Sequence, residues 1–199
     1  MRRPADLTAL FGEAWSVTVA GLPVEEALWR MGVEEPAPAP TPHEVLDSRV
    51  RGRTTTSREV MLLGRQATAD WSLILELEGS TGWIGAQTEV LDGLAACPAG
   101  IACTVYRDPN QTQALFAGQG RPLAGLDADT GRRWGTLGAR LSAALTAAGF
   151  PAGTSDQDAE GPDGDGAQRT AGVIEAATGL WLTEGMLSGS WTGGLSAGL

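Results

Sequence analysis

Trp71-Ser-Leu-Ile-Leu-Glu-Leu-Glu78, Gly79-Ser-Thr-Gly-Trp-Ile-Gly-Ala86, Gln87–Ala96 and Ile101–Arg107 read in succession as strand, glycine-rich turn, helix and strand. Trp71, Leu73, Leu75 and Leu77 share one face of a period-two strand. Ser72, Glu76 and Glu78 share the other, with Ile74 as the exception. That pattern suits a strand with one face in a core and the other mostly wet. Three glycines in Gly79–Gly85 permit positive φ angles that other residues resist. Val90, Leu91 and Leu94 then follow at helical spacing, and Pro98 stops the helix. Ile101, Cys103 and Val105 alternate with Ala102, Thr104 and Tyr106.

Upstream, Leu7, Leu10 and Phe11 have the spacing of a short helix. Trp15, Val17 and Val19 alternate as a first strand, ended by Gly21. Pro23 opens a helix whose first turn holds Glu25 and Glu26, where they favour the positive end of the dipole. Val24, Leu28 and Met31 form its apolar stripe, and Gly32 stops it. Val60–Leu63 reads as a second strand. Without the ends, the order is β-α-β-β-α-β, that of the ferredoxin-like split unit. Right-handed crossovers then put both early helices on one sheet face.

Downstream, Gln111–Ala117 and Arg121–Leu126 read as an added hairpin. A helix follows with Trp134, Leu137, Leu141 and Leu145 on one stripe, ended by Gly149 and Pro151. Ala171–Thr178 and a short segment from Thr183 to Leu187 add further helices, which cover part of the opposite sheet face. The expectation is a single α+β domain over 1–199, with a mainly antiparallel sheet. It carries a Pro-rich loop at 34–42, a mobile acidic loop at 153–166 and a Gly/Ser-rich tail at 188–199. The tail reads as frayed, although Trp191 and Leu195 are able to pin it.

The net charge of −10 argues against a general nucleic-acid binder, which needs a basic stripe to meet phosphates. All 14 basic residues are Arg, which together with abundant Ala, Gly and Pro points to GC-rich coding. Arg49, Arg51, Arg53 and Arg58 crowd one polar run, read either as a patch for an anion or acidic partner or, as favoured, as a solvated loop and strand edge. Cys97 and Cys103 make no disulfide framework and read as reduced thiols in a cytoplasmic protein. No apolar run is long enough for a membrane helix or a signal peptide.

Little of the sequence points to catalysis, a metal or a cofactor. The single histidine, His43, lies in the Pro-rich region, a poor place to hold a base. Asp156-x-Asp158-x-Glu160-Gly161 resembles half of a calcium loop, but Ala167 stands where the bidentate Glu belongs. Asp127 and Asp129 read as a capping turn. Of the tryptophans, Trp15, Trp29, Trp71, Trp134 and Trp181 sit where core packing explains them. Trp83 is either displayed by the Gly82–Gly85 turn or folded back over Val90 and Leu94, and the packed position is favoured.

The chain resembles an uncharacterised actinobacterial family, a domain of unknown function. The resemblance rests on Trp15-Ser-Val-Thr-Val19, Glu25-Glu-Ala-Leu-x-Arg-Met-Gly32, Gly82-Trp-x-Gly85 with Glu89-Val-Leu91, Val105-Tyr-Arg-x-x-Asn110 and Thr178-Gly-Leu-x-Leu-Thr183. It implies a lineage and no activity. Two functional readings follow. The leading one is a non-enzymatic protein-interaction module, immunity- or antitoxin-like, with Gly82, Trp83, Gly85, Tyr106 and Arg107 as contact residues for a protein partner. The alternative is a small-ligand-binding or enzymatic domain. Its pocket would lie between the sheet and the C-terminal helices, with Asp127, Asp129, Arg107 and Tyr106 converging.

Overall fold

Trp15–Ala20 forms a strand, β1, in which all six residues are buried. That burial sets the architecture, because a strand covered on both faces needs a layer on each side. The computed structural model describes residues 4–50, 60–77, 82–109, 111–118, 121–150 and 166–196. Before β1 comes α1 (Leu7–Phe11); after it come α2 (Val24–Arg30), β2 (Ala37–Ala39), α3 (Pro42–Val50), β3 (Val60–Gln66) and β4 (Ser72–Glu76). A 3₁₀ turn (Ile84–Ala86) leads into α4 (Thr88–Ala95), then β5 (Ile101–Asp108), β6 (Gln111–Gly118), β7 (Arg121–Asp127) and β8 (Arg133–Trp134). The chain closes with α5 (Ala139–Ala147), α6 (Gly166–Thr178), α7 (Glu184–Leu187) and β9 (Trp191–Ser196).

The strands form one open sheet in the order β2-β9-β3-β4-β1-β5-β6-β7-β8, with antiparallel pairing at each step. The protein is therefore α+β with a mainly antiparallel sheet. β1 lies between β4 and β5, with Val17 opposite both Leu75 and Val105. On one face Val17, Val19, Leu73, Leu75 and Val105 pack with Leu7, Phe11, Leu145, Val173 and Ile174 from α1, α5 and α6. On the other, Leu62, Ile74 and Ala102 pack with Ala27, Leu28, Leu91 and Leu94 from α2 and α4. The two early helices thus share one face, and the late helices cover the opposite one.

Several expectations are corrected. The face of β4 that carries Ser72 and Glu76 is dry, with both residues at 0% exposure, because α2, α4 and the 3₁₀ turn cover it. Ile74, the exception to the alternation, belongs to that second core. Trp29 is 65% exposed, since Val24, Ala27 and Leu28 already fill the buried stripe of α2. Trp134 lies in β8, and the helix after it begins only at Ala139. The Pro-rich loop 34–42 contains β2, and Thr41 ends it by capping α3: Glu44 N–H donates to Thr41 Oγ1 and Thr41 N–H to Glu44 Oε2. The acidic stretch 151–165, the arginines Arg51, Arg53 and Arg58, and the turn residues 78–81 lie outside the described residues.

The tail is the largest correction. Residues 191–196 are β9, hydrogen-bonded between β2 and β3. Its glycines are required by close approach: a Cβ on Gly193 would fall on the Leu62 carbonyl, and one on Gly194 on Val33. Trp191 is buried, with the Arg65 guanidinium 5.7 Å from its ring centroid. Arg65 also donates to the Ser188 carbonyl, and Ser196 Oγ donates to the Met31 carbonyl at 2.7 Å. Trp191→Ala is expected to cost about 3 kcal/mol or more of folding stability. A denaturant titration with an unchanged midpoint would remove β9 from the sheet.

Candidate functional site

The Gly82–Gly85 turn is held to the sheet from beneath. Glu76, on β4, is carried by the register to a position opposite Ser16 on β1. Its carboxylate accepts Ile84 N–H at 2.7 Å and Gly85 N–H at 2.9 Å, the first amides of the 3₁₀ turn. These donors have no partner within the turn itself, so the carboxylate acts as a cap supplied from a distant strand. Thr104 Oγ1 donates to the Gly85 carbonyl at 2.8 Å and lies 2.9 Å from Thr18 Oγ1. Gly85 is glycine because the turn presses onto this cluster: a Cβ there would fall on Thr18 Oγ1 and stand 3.1 Å from both Glu76 Oε1 and Thr104 Oγ1. Gly82 has a different reason, its φ of 95°.

Burial raises the Glu76 carboxyl to a pKa of about 7 against the opposing pull of the Gly85 and Ile84 amides and, last, of Ser16. Ser16 Oγ itself is buried without a hydrogen-bond partner of standard geometry. No cation pairs with Glu76 among the described residues. Between 4.5, the ordinary value, and about 7, the folded chain keeps a proton that the unfolded chain has released. Stability therefore falls as pH rises through that window and levels off above it. Relative to Glu76→Gln, the wild type is expected to lose about 3 kcal/mol of unfolding free energy over that rise. Parallel denaturant titrations across the window check this, and a constant gap between the two proteins would contradict it.

Trp83 is 8% exposed, with its ring 6.4 Å from that of Tyr106 at an interplanar angle of 38°. The Tyr106 hydroxyl is 2.6 Å from Gln113 Oε1 and donates to it. Burial, with the Asp108 charge second, holds this phenol above its ordinary pKa. Gly82, Trp83, Gly85 and Tyr106 are thus brought together. Trp83→Ala is expected to cost about 3 kcal/mol or more of stability. A wild-type melting midpoint for that variant would show that its ring adds nothing to packing.

Arg107 is not part of this group. It follows Tyr106 on β5, so its side chain leaves the opposite face of the sheet. There it donates to Glu13 Oε2 at 2.9 and 3.0 Å and to Thr112 Oγ1 at 2.9 Å. Asp129 Oδ2 accepts Thr112 N–H at 2.8 Å, and Arg169 lies 3.6 Å from Asp129 Oδ1. Asp127 Oδ1 accepts the Asp129 and Thr130 amides, both at 2.9 Å, which caps the turn between β7 and β8. Arg107 and Asp129 therefore meet at Thr112 on one side, while Asp127, set opposite Gln113 by the register, belongs with Tyr106 on the other.

The remaining reactive side chains are dispersed. His43 is exposed in the first turn of α3, 6.2 Å from the Phe11 ring. Cys103 is fully buried, and burial pushes its thiol far above the ordinary value. Arg133, 5% exposed, donates to the Ser142 and Phe150 carbonyls and to Thr146 Oγ1, binding β8 to α5. Among the described residues, no group of three His, Cys, Asp or Glu side chains is placed to hold a metal ion. Nor is any described helix long and apolar enough to cross a membrane. Glu76 reads in the sequence as a wet-face residue and Trp29 as a core residue, and the structure reverses both. Ile74 was the only sign that the Glu76 face is covered, and nothing in the helical spacing of Trp29 set it apart from a core residue.

The fold and these sites define an α+β protein whose polar clusters hold backbone in place. No protein-family model, curated protein or solved structure matches the chain.

Proposed function

We propose that this chain is a non-enzymatic protein-interaction module, immunity- or antitoxin-like in using an acidic surface against a basic partner. The observation that supports this reading is where the polar groups are engaged. Among the described residues, the one carboxylate with a pKa near neutrality, Glu76, is at 0% exposure and occupied by two backbone amides. A general acid or base must reach a substrate proton, and this one is sealed beneath the 3₁₀ turn. The chain as a whole carries a charge of −10. The alternative, a ligand or enzyme pocket, is disfavoured by the division of its four residues between two sheet faces, with Tyr106 apart from Arg107.

On the same reading, β3-β4-β1-β5 with α2 and α4 is a ferredoxin-like split unit, enlarged at both edges. The lineage proposed is the uncharacterised actinobacterial family, and the proposed compartment is the cytoplasm. The test is native mass spectrometry of the tagged full chain purified gently from its source cell. The expected result is a stoichiometric protein of high pI that dissociates as salt is raised. A small molecule retained in place of a protein would favour the ligand-binding reading.

A further inference from the structure

Trp29 is the most exposed large apolar side chain among the described residues, at 65%. It occupies the last turn of α2, and its own helix does not use it: the buried stripe is Val24, Ala27 and Leu28. Glu25 and Glu26 stand one turn before it on the same side of the helix, at the i−4 and i−3 positions. Glu34 and Glu35 are exposed just beyond the end of α2. The basic residue of α2, Arg30, is already taken. It donates to Glu26 Oε1 at 2.5 Å, and to the carbonyls of Gly93 and Ala96 at 2.6 and 2.9 Å at the end of α4. The surface therefore combines one large aromatic ring with a surplus of carboxylates, over a rigid base of two helices on a sheet.

We propose that Trp29 and the carboxylates around it form a docking surface for an arginine-bearing protein segment. An exposed indole is the best side-chain platform for a guanidinium, which stacks on the ring while its N–H groups reach adjacent carboxylates. The acidic rim selects against nucleic acid and other polyanions and steers a basic partner. A second copy of this chain fits poorly, because the same acidic rim would meet itself. The assignment rests on the interaction-module reading and moves its contact surface from the Gly82–Trp83 turn to the outer side of α2.

The test uses the full chain labelled with 5-fluorotryptophan, with the Trp29 resonance assigned by Trp29→Phe. The probes are an Arg-rich peptide, the same peptide with Glu in place of Arg, and heparin. Binding is followed by fluorine NMR and calorimetry. The Arg peptide is expected to move the Trp29 resonance and to bind at least about tenfold more weakly to Trp29→Ala, as an anchor residue requires. Paired Glu25→Gln and Glu35→Gln changes should flatten the salt dependence, and the two other probes should not bind. Trp29→Ala should melt like the wild type, because the ring is outside the core. Binding of the Arg peptide without a change at Trp29, or with full affinity for Trp29→Ala, overturns this surface and leaves the module reading standing. Failure of the Arg peptide to bind, or a Trp29-dependent dimer in light scattering, overturns the partner chemistry. A partner recovered from the source cell that still binds Trp29→Ala fully would likewise separate the failure of this surface from that of the module reading.

Discussion

A sheet covered on both faces leaves its central strands without water. Buried polar side chains there must find their partners inside the protein, and all but Ser16 do so. Ser16, Thr18, Ser72, Glu76 and Thr104 are all fully buried. The solution is to bring backbone to them: Ser72 Oγ donates to the Leu22 carbonyl, Thr104 to that of Gly85, and Glu76 receives two amides. These contacts tie the segment that enters α2 and the 3₁₀ turn that leads into α4 to the sheet. The polar cluster thus fixes where the helical layer sits, and through it where Trp29 emerges.

The hydrophobic periodicity made the centre of the sheet legible. β1, β4 and β5 follow the alternation of Trp15–Val19, Leu73–Leu77 and Ile101–Val105, since each strand has a core-facing row. Their second face was harder to read, because Ser, Thr and Glu there resemble a wet surface unless their tertiary partners are known. The start of α3 was present in the sequence as Thr41-Pro-His-Glu44, a capping box with proline at the first helical position, but the run of prolines before it masked the signal. β9 was obscured for the opposite reason. Glycines 193 and 194 look like flexibility, and only the Leu62 carbonyl and the Val33 side chain reveal them as close packing.

The candidate contact residues divide along the same physical line. Local spacing placed Gly82, Trp83 and Gly85 in one turn, and the turn does bring Trp83 to Tyr106. It could not show that the turn is pressed inward by Glu76. Arg107 fell in the group through its neighbour in the sequence, and the alternation of β5 sends it to the other face, toward Glu13 and Thr112. Helical spacing, by contrast, assigns a residue to a stripe without saying how wide the buried stripe is. Trp29 lies just beyond that width.

The position of β9 also bears on how the protein is made. Val60 pairs with Ser196, and Ala39 with Trp191, so β3 receives its second neighbour from a distant part of the chain. During vectorial synthesis β3 and β4 leave the ribosome long before β9 does. Throughout that interval β3 presents an unpaired edge, which includes the apolar run Val60–Leu63, to whatever strand is nearby. The nascent chain is therefore open to intermolecular pairing along β3 until β9 has emerged and docked, and anything that slows translation between the two strands prolongs that exposure.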